Sequence, residues 1–207
     1  KSLAKTGKPI IISTGSATEK EIEESIKYLR KNGCKDITIL KCTSVYPAKP
    51  SDLNLSAIPY FKKKFNCKVG FSDHSKGITS TLAAVAIGAE VIEKHVKLNK
   101  NDKSLDSKFS ITVKELKDLV LKARQIKESM GKNYFLTKSE KYARSRRRSI
   151  IAIRNISKNE RLSKQNIRVL RPNIGLNPKY YEYVIGKKIN RNIKIGSPIK
   201  INFLNKK

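Results

Sequence analysis

KVGFSDHSKGITSTLAAVAIGAEVIEKH, Lys68 to His95, sets two apolar runs on either side of an alanine-rich stretch. KVGFS (Lys68 to Ser72) and EVIEKH (Glu90 to His95) read as strands, and Ile78 to Ala89 between them as a helix. Strands joined through a helix run parallel, and near-continuous apolar runs mark parallel strands buried on both faces. The same alternation extends upstream. PIIIS (Pro9 to Ser13) is a strand, and helix 18–32 follows, opened by a Thr18-x-x-Glu21 capping box and closed at Gly33. DITILKC (Asp36 to Cys42) is the next strand, followed by a proline-containing loop and a helix near Ser56 to Phe65. Downstream, Thr112-x-x-Glu115 caps a last helix that stops at Gly131.

Four successive βα units build either a doubly wound sheet or part of a (β/α)8 barrel. A whole barrel takes roughly 250 residues, so a region ending near residue 130 supplies half of one. No glycine-rich dinucleotide fingerprint is present, and periodicity alone leaves both architectures open. Residues 131–147 read as a basic linker that includes RSRRR (Arg144 to Arg148). From 148 to 207 the texture changes to short β-rich runs broken by Asn, Lys and Ser, a small module of its own. Within it NISKNE and NIKIGS look like two related turns, a hint of internal pseudo-symmetry.

Apolar residues make up 38% of the chain, enough for a core. The longest apolar run, about Thr81 to Ile92, falls short of the roughly 20 residues that a bilayer requires. Cys34, Cys42 and Cys67 show no pairing pattern, which points to reduced thiols and a cytoplasmic setting. No signal peptide is visible, and a start at Lys1, just before a strand, is expected of a piece of a longer protein. A formal charge of +29 fits a nucleic-acid partner. It fits equally a composition rich in Lys, Asn and Ile with the lysines spread over the whole chain, and a phosphorylated or acidic small substrate is compatible with it.

The two histidines, His74 and His95, end neighbouring strands. Parallel neighbours lie about 4.8 Å apart, so both rings can meet at the C-terminal rim, where barrel active sites sit. Two imidazoles suit a divalent transition metal; two unrelated polar loop residues fit the spacing as well. Ser13, Ser44 and Ser72 follow three successive strands, a pattern that suits phosphate binding, although Ser and Thr also favour turns. On generic grounds Asp106 is a solvated turn residue and Arg171 a surface arginine.

The sequence STGSATEKEIE (Ser13 to Glu23), LKCTSVYP (Leu40 to Pro47), GFSDHS (Gly70 to Ser75), VIEKHVKL (Val91 to Leu98) and DSKFSI (Asp106 to Ile111) resembles the sialic-acid-type synthases in order and spacing. The module from Arg148, with VLRPNIGL and the later IGKK, resembles their antifreeze-like (SAF) domain. ATEKE, DSKFS and GLNPKYYEYVIGKK are most similar to the pseudaminic branch, with the neuraminic and legionaminic acid synthases as close alternatives. The resemblance implies an α/β fold: residues 1–130 as the C-terminal half of a TIM barrel (strands five to eight), a linker at 131–147, and a SAF domain at 148–207. It further implies that His74 and His95 hold a divalent metal, Mn²⁺ above all. Ser13, Ser44 and Ser72 would contact phosphoenolpyruvate, and Tyr46, Asp106 and Arg171 an N-acetylated acceptor sugar, Arg171 from the partner subunit of a domain-swapped homodimer. The implied chemistry is attack of the phosphoenolpyruvate methylene on the metal-polarised aldehyde of the open-chain sugar. Water then adds to the cationic carbon, and phosphate leaves by C–O cleavage to give a nine-carbon 2-keto acid. The family's catalytic glutamate, phosphate-binding lysines and acceptor-binding asparagine belong to the first four strands. Lys41 and Lys94 are no evident substitutes, so this chain alone is expected to be inactive. A basic binding module that has kept the fold and lost catalysis is the competing expectation.

Overall fold

The computed structural model describes residues 2–131 and 136–205. The chain divides into two compact units, Lys1–Lys132 and Asn133–Lys207.

The first unit follows the order β1 (Ile10–Ser13), α1 (Glu19–Lys31), β2 (Ile37–Cys42), α2 (Ala57–Phe65), β3 (Lys68–Asp73), α3 (Thr79–Ala86), β4 (Ile92–Lys94), β5 (Val96–Lys97), β6 (Ile111–Thr112) and α4 (Val113–Met130). The sheet order is β1-β2-β3-β4, every pair parallel, with Ser13 opposite Leu40, Cys42 opposite Ser72 and Asp73 opposite Lys94. The order never reverses, and right-handed crossovers then put every helix on the same face. This removes the doubly wound alternative: the sheet is a curled half-barrel.

Side-chain alternation sorts the strands into two faces. Ile10, Ile37, Ile39, Val69 and Phe71 pack with Ile22, Ile26, Ile58, Phe61 and Phe65 of the helices into one core. The intervening residues face the barrel interior: Ser13 on β1, Leu40 and Cys42 on β2, Ser72 on β3, Glu93 on β4. Ile11, on the interior face of the edge strand β1, is 55% exposed. Gly70 has a steric reason to be glycine, since a Cβ there would strike the Val91 carbonyl oxygen and the Leu40 side chain.

Both expected capping boxes form, at Thr18/Glu21 and Thr112/Glu115. Two expected elements are shorter than their sequence runs. The helix expected over 78–89 ends at Ala86, because Gly88 turns into the left-handed region at φ 105°. Strand β4 begins at Ile92 rather than Glu90, although Glu90 and Val91 still hydrogen-bond to Val69 and Phe71 of β3. The stretch read as a linker holds a helix, α5 (Lys138–Ala143), opened by a third capping box at Thr137/Glu140.

In the second unit β7 (Ser149–Ala152) pairs antiparallel with β8 (Ile167–Leu170), and a short α6 (Tyr181–Val184) closes over them. Ile150, Ile156, Leu162, Ile167, Ile189 and Ile199 are fully buried at its centre. The two related turns pair with each other. Ile156 and Ile193 exchange both backbone hydrogen bonds at 2.8 Å. The Asn155 side chain accepts from the Ile195 amide at 2.9 Å, and the Asn192 side chain accepts from the Lys158 amide at 2.7 Å. Asn159 and Gly196, four residues beyond each asparagine, are both left-handed at φ 66° and 79°. The pseudo-symmetry hinted at by the sequence is therefore a local two-fold.

Candidate active site

The C-terminal ends of β1 to β4 bring the candidate residues of the first unit to one rim. The rings of His74 and His95 lie 5.3 Å apart, centroid to centroid. Tyr46, from the loop after β2, packs against His74 with ring centroids 4.2 Å apart and the planes tilted by 42°. Phe109, buried in the turn before β6, meets His95 at 4.9 Å and Tyr46 at 5.4 Å. The four rings form one cluster.

Each imidazole has an acceptor oxygen beside Nδ1. His74 Nδ1 is 3.0 Å from the Thr43 carbonyl oxygen. A carbonyl can only accept, so Nδ1 carries a proton, and in the neutral ring Nε2 is left with the lone pair. His95 Nδ1 lies 3.3 Å from Asp106 Oδ2, a close contact between the ring and a carboxylate. Metal-binding histidines typically donate their second nitrogen to a carbonyl or carboxylate in this way. Ligand bonds of about 2.0–2.1 Å place two rings on one ion with centroids about 5 Å apart. The donor chemistry and spacing of His74 and His95 therefore fit one divalent ion. Among the described residues no group of three or more His, Cys, Asp or Glu is arranged to hold a metal ion.

The three serines stand at three adjacent strand ends in different states. Ser13 and Ser44 are exposed; the Ser13 hydroxyl accepts weakly from the Gly15 amide at 3.3 Å. A Cβ on Gly15 would run into the Ser44 hydroxyl, so glycine leaves that group room. Ser72 is buried and its hydroxyl donates to Glu93 Oε1 at 2.7 Å. In this geometry Ser72 offers an anion no proton. A 760 Å³ cleft runs beside the ends of β1 and β2, with Thr14, Ser16, Lys41, Thr43 and Ser44 among its walls. Lys41 donates there to the Cys42 carbonyl at 2.9 Å and the Thr43 hydroxyl at 3.3 Å, and burial pushes its pKa down.

Asp106 is placed against His95 rather than alone in solvent. Arg171 belongs to the second unit, where it is exposed at the end of β8 and shares a 430 Å³ hollow with Ser145, Arg146 and Asn173. Sequence reasoning missed Glu93, Phe109 and the Thr43 carbonyl. Glu93 was detectable as a carboxylate at an interior-facing position of an apolar strand. Phe109 sits inside the DSKFS stretch, but nothing in its identity tells where its ring goes. No helix among the described residues is long and apolar enough to cross a membrane.

Residues 1–134 match the model of the NeuB family, and residues 147–205 that of the SAF domain. The chain is 42% identical over 200 residues to a pseudaminic acid synthase of Campylobacter jejuni subsp. jejuni, across 96% of this chain and 58% of that protein. It is 44% identical over 198 residues to an N,N'-diacetyllegionaminic acid synthase of the same organism, across 94% and 59%. Among solved structures, an N-acetylneuraminic acid (sialic acid) synthetase from Leptospira borgpetersenii serovar Hardjo-bovis superposes with a TM-score of 0.65 at 37% identity, covering 68% of this chain and 50% of that one. The spore coat polysaccharide biosynthesis protein SpsE of Bacillus subtilis gives 0.60 at 31% identity, covering 99% and 63%. The chain thus spans less than two thirds of the length of these relatives. One family model covers residues 1–134, the whole of the first unit: the chain belongs to the NeuB family.

Proposed function

We propose that the chain provides one half of the active site of a pseudaminic-acid-synthase-type enzyme, which joins phosphoenolpyruvate to an N-acetylated sugar to make a nine-carbon 2-keto acid. The observation that carries this reading is the pair His74 and His95, their rings 5.3 Å apart, with His74 hydrogen-bonded through Nδ1 to the Thr43 carbonyl and His95 Nδ1 against the Asp106 carboxylate. The 42% identity to a pseudaminic acid synthase supports that branch. A divalent metal on the pair, Mn²⁺ the expected one, would supply Lewis-acid polarisation of the acceptor aldehyde.

The chain's own residues bind and orient. Ser13 and Ser44 present hydroxyl donors to the phosphoenolpyruvate anion, and Ser72 joins them when its proton turns from Glu93. Tyr46 and Phe109 form an apolar wall beside the imidazoles, which excludes water from one side of the reacting aldehyde. Asp106 holds the His95 proton at Nδ1 and turns its second oxygen to the acceptor sugar. Arg171 contacts the N-acetylated sugar across a homodimer. The enzyme works in the cytoplasm, and the remaining length of the relatives supplies the groups that this chain lacks, so the chain is inactive by itself.

The test combines this chain with a polypeptide corresponding to the N-terminal part of the Campylobacter jejuni pseudaminic acid synthase, phosphoenolpyruvate, Mn²⁺ and N-acetylated six-carbon sugars. Phosphate and 2-keto acid should form in equal amounts, only with both polypeptides, and not with His74→Ala. Phosphate release without carbon–carbon bond formation, or turnover that His74→Ala leaves intact, overturns the reading.

A further inference from the structure

Asp73 and Lys94 each stand one residue before a histidine, and strand alternation turns them to the opposite face of the sheet from the rings. They are register partners, and Lys94 Nζ lies 3.0 Å from Asp73 Oδ2 with the side chains 2% and 0% exposed. The other hydrogen bonds of the pair run to the backbone around His74 or to α3. Asp73 Oδ1 accepts from the Ser75 amide at 2.8 Å, and Oδ2 from the Thr81 hydroxyl at 2.5 Å. Lys94 donates to the Ser75 carbonyl at 2.7 Å and to the Asp73 carbonyl at 3.4 Å. The peptide units on both sides of His74 are thereby fastened to the residue that precedes His95.

Cohesion alone does not account for the pair. The other residues of β3 and β4 on that face, Val69, Phe71 and Ile92, are hydrocarbon and pack in the common core. Two charges taken out of water hold strands no better than apolar groups of the same volume, because desolvation offsets their attraction. What charges and their directional bonds add is a fixed orientation. We propose that Asp73 and Lys94 are positioning residues that set the His74 and His95 rings relative to each other from the far side of the sheet, touching no ligand themselves. The ring geometry is independent of any metal; the consequence for affinity rests on the metal reading above.

The test uses the whole chain labelled with ¹⁵N-histidine and the double variant Asp73→Asn/Lys94→Met, which removes both charges at nearly constant volume. Melting temperature, ring ¹⁵N resonances and Mn²⁺ affinity by calorimetry are read together. The melting temperature should stay close to that of the parent, while the Nδ1–H signals of both histidines broaden or shift. Mn²⁺ affinity should fall by about 10- to 100-fold, the loss typical of outer-shell partners. Unchanged ring resonances in a folded double variant overturn the proposal. Where the double variant does not fold, Thr81→Val decides, since it removes one of the two partners of Asp73 Oδ2: an undisturbed His74 ring signal counts against the proposal and a disturbed one for it. A parent chain that binds no Mn²⁺ sinks the metal reading, and the ring resonances still decide this one.

Discussion

The Nδ1 of His95 lies 3.3 Å from Oδ2 of Asp106, so a residue from the loop before β6 reaches back to the ring at the end of β4. The short β5–β6 pairing makes this possible. Ile111 donates to the His95 carbonyl at 3.0 Å, and Val96 and Lys97 pair with Ile111 and Thr112. Carboxylates placed against the second nitrogen of a metal-binding imidazole typically orient the ring. Asp106→Ala should weaken Mn²⁺ binding about 10- to 100-fold by calorimetry, and Asp106→Asn less, because its amide oxygen still accepts. Equal affinity in all three proteins would leave Asp106 with no hold on the ring.

Gly70→Ala should lower stability by about 1–3 kcal/mol, the usual cost of overpacking. The atom in the way is the Val91 backbone oxygen, which belongs to the neighbouring strand and cannot rotate aside. Chemical denaturation of the parent and variant checks this; a variant as stable as the parent would mean that β3 and β4 sit further apart.

The helix after the site should be acid-sensitive at its N-terminus. Hydrogen bonds from the Thr112 backbone and side chain hold the Glu115 carboxyl below its ordinary value. A depressed folded-state pKa gives stability that is present above the unfolded value and lost as pH falls through the folded one. The contribution should therefore fade below about pH 4.3, the unperturbed glutamate value. At neutral pH Thr112→Ala should cost about 1 kcal/mol, and the gap between parent and variant should narrow in acid. A constant gap from pH 7 to pH 3 would contradict the capping role of the charge.

Much of this was legible in the sequence. β2 and β3 read as strands because parallel strands covered on both faces leave near-continuous apolar runs, and both expected capping boxes formed. One βα unit between two strand ends made ring-to-ring proximity of the histidines one of two readings, and the fold selects it. What the sequence concealed was mostly directional. Asp73 and Lys94 are charged residues in apolar runs, and nothing local says that they satisfy each other. The Thr43 carbonyl is backbone and has no letter of its own. The box at Thr137/Glu140 has the same pattern as the other two, but the basic composition around it reads as linker and masked it. The paired turns at Asn155 and Asn192 were visible only as similarity, and their reciprocal bonds needed the fold.

Arg171→Ala, in the complete enzyme, should reduce acceptor use by about 10- to 100-fold, the loss expected of one charge-assisted hydrogen bond of about 1.5–3 kcal/mol. A planar guanidinium fork suits an amide oxygen with neighbouring hydroxyls. The KM for phosphoenolpyruvate should hardly move. Equal losses for both substrates, or none, would return Arg171 to the surface.

The joint use of His74 and His95 is tested most directly by titrating Mn²⁺ into the ¹⁵N-histidine-labelled chain and its His95→Ala variant. Before metal, both rings should show the Nδ1–H tautomer. One shared ion predicts that the Nε2 signals of the two rings broaden together, at one ion per chain, and that His95→Ala abolishes broadening at His74. Broadening of His74 that persists unchanged without His95, or of one ring alone in the parent, would contradict a shared site.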